Sequence, residues 1–123
     1  MPDPPCPCGS PATAQECCLP LLAGERQAET PEELMRSRYT AFALGDGDYL
    51  WRTWHPRTRP EHVTIDPDIV WTRLEVIEAG AVEVEFEATY VDQKSQRTGT
   101  LHERSRFAVR ARRWLYVDGE VFG

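Results

Sequence analysis

The sequence predicts an α+β fold, and three features carry that expectation. All four cysteines fall within the first eighteen residues, as Cys6-Pro7-Cys8 and Cys17-Cys18. A capped, amphipathic run follows from Thr30 to Gly45, and from Ile69 onward apolar residues recur at every second position. Helices followed by alternating strands, rather than interleaved with them, make an α+β domain with an antiparallel sheet. A chain of 123 residues can bury roughly two thirds of its unfolded surface. That suffices for one core, so the chain should divide into a small segment at 1–29 and one domain at 30–123.

Met1 to Pro5 is a proline-rich lead-in to the cysteines. Zinc takes four thiolate or imidazole ligands in a tetrahedron, and two ligand pairs joined by a short loop supply them without help from the rest of a fold. Cys6 and Cys8 make one pair; Cys17 and Cys18 make the other. Between them Gly9, Ser10 and Pro11 turn the chain back, and the N–H groups of Gly9 and Ser10 are candidates to donate to a thiolate. Disulfide pairing is the alternative. Against it stand the lack of a signal peptide before the cluster, and the strained ring that adjacent cysteines such as Cys17 and Cys18 must form. One structural zinc ion is the expected cofactor.

A connector from Leu19 to Glu29 leads to the first helix. Thr30 as N-cap, Pro31 at the first helical position and Glu33 three residues after the cap form a capping box, and Gly45 marks the end. Leu34, Met35, Tyr39 and Phe42 share its apolar face, while Arg36 and Arg38 can reach solvent or a carboxylate. Ser37 caps nothing, so its removal should matter far less than that of Thr30. Asp46 or Asp48 then caps a short second helix running to Trp54, and Pro56 stops the element by biasing His55 out of the helical region. Pro56 to Pro67, with Pro60 between them, reads as loop.

Ile69 to Glu78 is the first strand. Val82, Val84, Phe86, Ala88 and Tyr90 alternate with Glu83, Glu85 and Glu87 in the second. A polar turn from Asp92 to Gly99 precedes the third strand. There Leu101, Glu103, Ser105, Phe107, Val109 and Ala111 share one face and His102, Arg104, Arg106, Arg110 and Arg112 the other. Arg112-Arg113 begins the return into Trp114 to Val117. The arginines and glutamates of facing strands should form a solvated charge ladder. Glu103 breaks the pattern as a carboxylate in phase with apolar neighbours, and a salt bridge to Arg36 or Arg38 would reconcile it with a core.

The chain carries 14 lysines and arginines against 20 aspartates and glutamates, a net charge of −6. Nucleic acid is therefore an unfavourable partner, since that affinity comes largely from neutralising phosphates. No apolar run approaches the roughly 18 residues of a membrane span, and a cytoplasmic location is expected. His55, His62 and His102 are too scattered for a second metal site.

Cys6-Pro7-Cys8-Gly9-Ser10 followed by Glu16-Cys17-Cys18 resembles the SEC-C motif, a short zinc-binding element also found at the tail of the bacterial preprotein translocase motor. This copy departs from the pattern in having Pro11-Ala12 where Gly-Lys is usual, and Thr13 and Ala14 where a tyrosine is usual. The rest resembles the YchJ-like bacterial family, through Leu34-Met35-Arg36-Ser37-Arg38-Tyr39-Thr40-Ala41, Thr53-Trp54-His55-Pro56, Leu101-His102-Glu103-Arg104-Ser105-Arg106-Phe107 and Trp114-Leu115-Tyr116-Val117-Asp118-Gly119. The resemblance implies a nuclear transport factor 2-like domain: a cone in which two or three helices pack on a curved antiparallel sheet of about four strands. Such cones leave a cavity at the open end, and Tyr39, Trp54, His55, Tyr90 and Glu103 are the candidates to line it.

Two functions remain in view. In the first, a non-enzymatic module docks a protein partner through the zinc knuckle while the domain serves as scaffold or binds a small molecule. The second is an enzyme doing acid–base chemistry in the cavity through Glu103, His55 and Tyr90. Because residues 30–123 hold their own core, removal of zinc should melt the knuckle alone.

Overall fold

The computed structural model describes residues 4–122, so the first residues of the lead-in and the last residue of the domain lie outside it. Pro4 and Pro5 open a tight loop, in which Ala14 N–H donates to the Pro4 carbonyl and Cys6 N–H to the Ala12 carbonyl. A single 3-10 turn at Ala14–Glu16 lies within the knuckle, and the short helix α1 (Leu19–Leu22) opens the connector.

Helix α2 (Pro31–Leu44) starts where its sequence says. Thr30 Oγ1 accepts from Glu33 N–H at 3.1 Å, and Glu33 Oε1 accepts from Glu29 N–H at 2.8 Å. Its last turn closes on Gly45, which takes a left-handed φ of 79° that a side chain would resist. Asp46 N–H then reaches the Ala41 carbonyl at 2.8 Å, a Schellman closure. Helix α3 (Gly47–Arg52) is capped by Asp46, whose carboxylate accepts from Tyr49 N–H, and it ends at Thr53. Trp54 lies beyond the helix, bridged to Tyr116.

The four strands β1 (Ile69–Ala79), β2 (Glu83–Asp92), β3 (Arg97–Arg110) and β4 (Arg113–Phe122) form one antiparallel meander in sequence order. Both later turns are tighter than expected. Asp92 Oδ1 accepts from the N–H groups of Lys94 and Ser95, which closes the β2–β3 turn over residues 93–96. The β3–β4 hairpin has only Ala111 and Arg112 at its tip, with φ of 52° and 65°. That is the primed turn suited to strand twist, but it lacks the glycine or asparagine that would reveal it in sequence. Ala111 is thus a turn residue, and Val109, expected in the core, is 55% exposed beside the hairpin tip.

Helix α2 lies across the inner face of the sheet. Leu34, Met35 and Tyr39 pack with Leu74, Val84, Phe86, Ala88 and Phe107, and burying each large side chain contributes about 1.5–3 kcal/mol. Cys6, Cys8, Ala14 and Cys18 belong to that same cluster. A second cluster joins Leu21 of α1 to Ala41, Tyr49 and Leu50. The knuckle through its cysteines, and the start of the connector through Leu21, are therefore packed into the domain, which argues against the knuckle melting alone when zinc is removed. On the outer face, Arg104 reaches Glu83 at 3.1 Å, Glu85 at 2.9 Å and Glu78 at 3.2 Å. The ladder has local exceptions: Arg106 pairs with Asp118 at 2.6 Å, and His102 takes Glu85 at 2.8 Å.

Candidate functional site

The knuckle gathers its four thiols at one point, with all four Sγ atoms within 4.8 Å of one another. A tetrahedron with metal–sulfur bonds of about 2.3 Å has sulfur–sulfur edges of about 3.8 Å. Cys8 and Cys17 lie 3.6 Å apart and Cys17 and Cys18 3.8 Å, so these residues fit a metal ion. Cys6, Cys8 and Cys18 are buried, and Cys17 is half-exposed.

The thiols perturb one another. Cys8 is pulled down to about 4, chiefly by a hydrogen bond from Cys18, while Cys18 is pushed up by the same contact and by burial. Burial likewise raises Cys17. A bare cluster thus favours one thiolate at the expense of its neighbours, and a cation among them removes that conflict. The groups that support the cluster differ in part from those expected. Ser10 Oγ donates to Cys17 Sγ at 3.2 Å, but Gly9 N–H is spent on the Cys6 carbonyl at 3.1 Å. Two arginines complete the surroundings: Arg36 Nη1 donates to the Cys8 carbonyl at 2.8 Å and Arg26 Nη2 to the Cys17 carbonyl at 3.3 Å. Sequence reasoning missed both roles, because α2 and the connector meet the cysteines only after folding.

A cavity of about 340 Å³ lies between α2 and the inner face of the sheet. Among the five sequence candidates, Tyr39, Trp54 and Glu103 line it and His55 and Tyr90 do not. His55 is turned aside by its backbone: its N–H donates to the Tyr116 carbonyl at 2.7 Å, and its ring Nδ1 accepts from Arg57 N–H at 3.1 Å. Tyr90 lies farther along the sheet, opposite Gly99, where its ring occupies the space a Cβ on that glycine would need. There it packs edge-on against Trp71 at 5.3 Å.

Glu103 faces inward but is not paired with an arginine. Ser105 Oγ donates to Glu103 Oε2 at 2.5 Å. Arg36 is engaged with Glu32 and the Cys8 carbonyl, while Arg38 Nη1 donates to the Leu50 carbonyl at 2.8 Å and to Thr53 Oγ1 at 2.7 Å. The expected salt bridge fails because the C-terminal end of α3 supplies carbonyls that Arg38 can reach from α2. Arg38 is buried between the rings of Tyr116 at 4.6 Å and Trp54 at 5.3 Å. Burial draws it down to about 10, and burial raises Tyr116 to about 12. Trp54 Nε1 is buried with no hydrogen-bond partner among the described residues. Tyr116 faces the cavity, whereas Trp114 lies over the connector, its Nε1 donating to the Glu29 carbonyl at 3.2 Å.

Comparison with known proteins places this architecture. Residues 30–119 match the family described as YchJ, middle NTF2-like domain, a match that begins at the N-cap of α2. UPF0225 protein SCO1677 of Streptomyces coelicolor is 48% identical, with 98% of each chain covered. A UPF0225 protein of Deinococcus radiodurans is 46% identical over 93% of this chain and 87% of its own. The solution structure of RPA3114, a SEC-C motif containing protein from Rhodopseudomonas palustris, superposes with a TM-score of 0.82 at 36% identity, covering 96% of this chain and 98% of that one.

Proposed function

The chain belongs to the YchJ-like family, with a SEC-C-type cysteine motif ahead of a nuclear transport factor 2-like domain, and from that premise we propose that it is a zinc-braced module that binds a small molecule in its cavity. The observation that carries the reading is Arg38: a buried guanidinium beside an aromatic-lined cavity, with no carboxylate bonded to it. A buried charge is costly unless it is paired, and the two hydrogen bonds from Nη1 and the rings of Trp54 and Tyr116 compensate this one without supplying an opposite charge. Cavities of this size, mostly apolar with a few convergent polar groups, are the usual form of a ligand site.

Zinc is the ion a four-thiolate tetrahedron suits best. We read its role as structural, because Cys6, Cys8 and Cys18 are buried in the core, Cys17 is half-exposed, and of the knuckle's exposed residues Gly9, Pro11, Gln15 and Glu16 a single one is charged. An acid–base enzyme is supported less, since Glu103 and His55 do not meet at the cavity. No helix among the described residues is long and apolar enough to cross a membrane. The reading is tested by a fragment screen on the zinc-loaded chain, following the indole N–H resonances of Trp54 and Trp71 by NMR. Ligands that shift both support it; a screen that moves neither contradicts it.

A further inference from the structure

The cavity wall is built largely of rings. Trp71 meets Tyr39 and Phe42 at 6.2 and 6.3 Å, and Tyr116 meets Trp54 and Phe107 at 5.2 and 6.0 Å. Such an enclosure favours a flat body that can lie against ring faces and edges. A volume of about 340 Å³ lies at the lower end of small-molecule sites, about 300–1,000 Å³, room for one or two fused rings.

Arg38 and Glu103 are the charged residues of the lining. Being of opposite sign and unpaired, they leave the wall with no net charge while each remains a strong local pole. An anion drawn to Arg38 is repelled by Glu103, and a cation meets the reverse, at short range where water screens little. What the two leave open is complementary. Both hydrogen bonds of Arg38 leave from Nη1, so Nε and Nη2 are donors without a hydrogen bond among the described residues. Glu103 accepts only at Oε2, from Ser105, and its Oε1 is free to accept another donor.

We infer that the cavity selects flat, uncharged molecules that carry both a hydrogen-bond acceptor, for Arg38, and a donor, for Glu103, as a cyclic amide does. This rests on the pocket reading above and adds the chemical class of the occupant. Site-built donors and acceptors discriminate strongly against analogues that leave them unpaired.

Three probes of matched size separate the possibilities: carbostyril, a neutral cyclic amide; N-methylcarbostyril, which lacks the donor; and naphthoate, an anion. Each is titrated into the zinc-loaded full chain, with affinity read by calorimetry and location by the Trp54 and Trp71 indole resonances. Carbostyril should bind at least tenfold more tightly than either of the others. Glu103→Gln removes the negative pole, so it should narrow the gap between carbostyril and naphthoate by about tenfold. Naphthoate binding as tightly as carbostyril, or N-methylation without effect, would overturn the inference while leaving the pocket reading intact. Failure of all three probes in a chain that still binds screened fragments at these tryptophans also overturns it. Failure of the fragments as well removes the pocket itself.

Discussion

Replacing Arg36 with methionine should weaken zinc binding about tenfold, although the residue donates nothing to the metal. Its Nη1–H bond to the Cys8 carbonyl spans 2.8 Å from a side chain only 24% exposed. Hydrogen bonds to charged groups contribute about 1.5–3 kcal/mol. The ion pair with Glu32 is an i,i+4 contact on the helix surface, so it adds only about 0.3–0.5 kcal/mol. Methionine keeps the apolar stem, so packing is little changed and the loss falls mainly on the bond that fixes Cys8 against α2. About 1.4 kcal/mol of that loss expressed in the bound state is a tenfold change in affinity, and partners behind metal ligands typically alter affinity 10–100-fold. Competition against a chromophoric chelator measures it directly. Arg26→Met is the internal comparison, because Arg26 is 40% exposed and its bond to the Cys17 carbonyl is 3.3 Å; its effect should stay under about threefold. Equal effects of the two substitutions, or none from Arg36→Met, would show that the bond to the Cys8 carbonyl does not support the metal site.

Two further outcomes follow from the contacts of α2 and the charge ladder. Thr30→Ala should cost about 0.5–2 kcal/mol as a lost cap, and Ser37→Ala should cost as much or more, about 1–3 kcal/mol, because Ser37 is fully buried and its loss orphans the Tyr49 hydroxyl 2.7 Å away; denaturant melts compare them, and a negligible Ser37→Ala effect would contradict the packing. Glu85 is held below its ordinary value of 4.5, first by a hydrogen bond from His102 and then by Arg104. A lowered folded value means its contribution is present above about pH 4.5 and is lost as pH falls through the lower value. Glu85→Gln should therefore flatten the acid limb of stability against pH, and an unchanged limb would count against the ladder.

The parts of this molecule legible in its sequence are those set by neighbours along the chain. Thr30, Pro31 and Glu33 fix the start of α2 and Gly45 its end, because capping is a matter of residues three or four apart. The thiol cluster is likewise written in spacing alone. Strand parity put Glu83, Glu85 and Glu87 on one face and Glu103 on the other, and the register follows it. What failed needed contacts between distant segments. Ser105 lies two residues from Glu103 on the same face and so was within reach of its carboxylate, but nothing near Glu103 says that Arg38 would be claimed instead by the end of α3. Tyr90 has cavity parity, yet the absence of a side chain at Gly99 across the ladder lets its ring settle outside the cavity. Val109 has core parity yet is exposed two residues before the hairpin tip, and period alone does not say where the cover of a sheet face ends.

Knuckle and domain share a single core, since Cys6, Cys8 and Cys18 belong to one buried cluster with Leu34, Met35 and Phe86. Thermal unfolding of the zinc-loaded chain, with and without a chelator and followed by tryptophan fluorescence, tests it most directly. Structural zinc contributes about 10–16 kcal/mol to isolated fingers, and each kcal/mol lost should lower the midpoint by roughly 2–8 °C for a domain near this size. One cooperative transition should appear, and its midpoint should move down by about 10 °C or more when zinc is removed. A tryptophan transition whose midpoint stays in place while zinc leaves would contradict it, showing the knuckle to be an independent appendage.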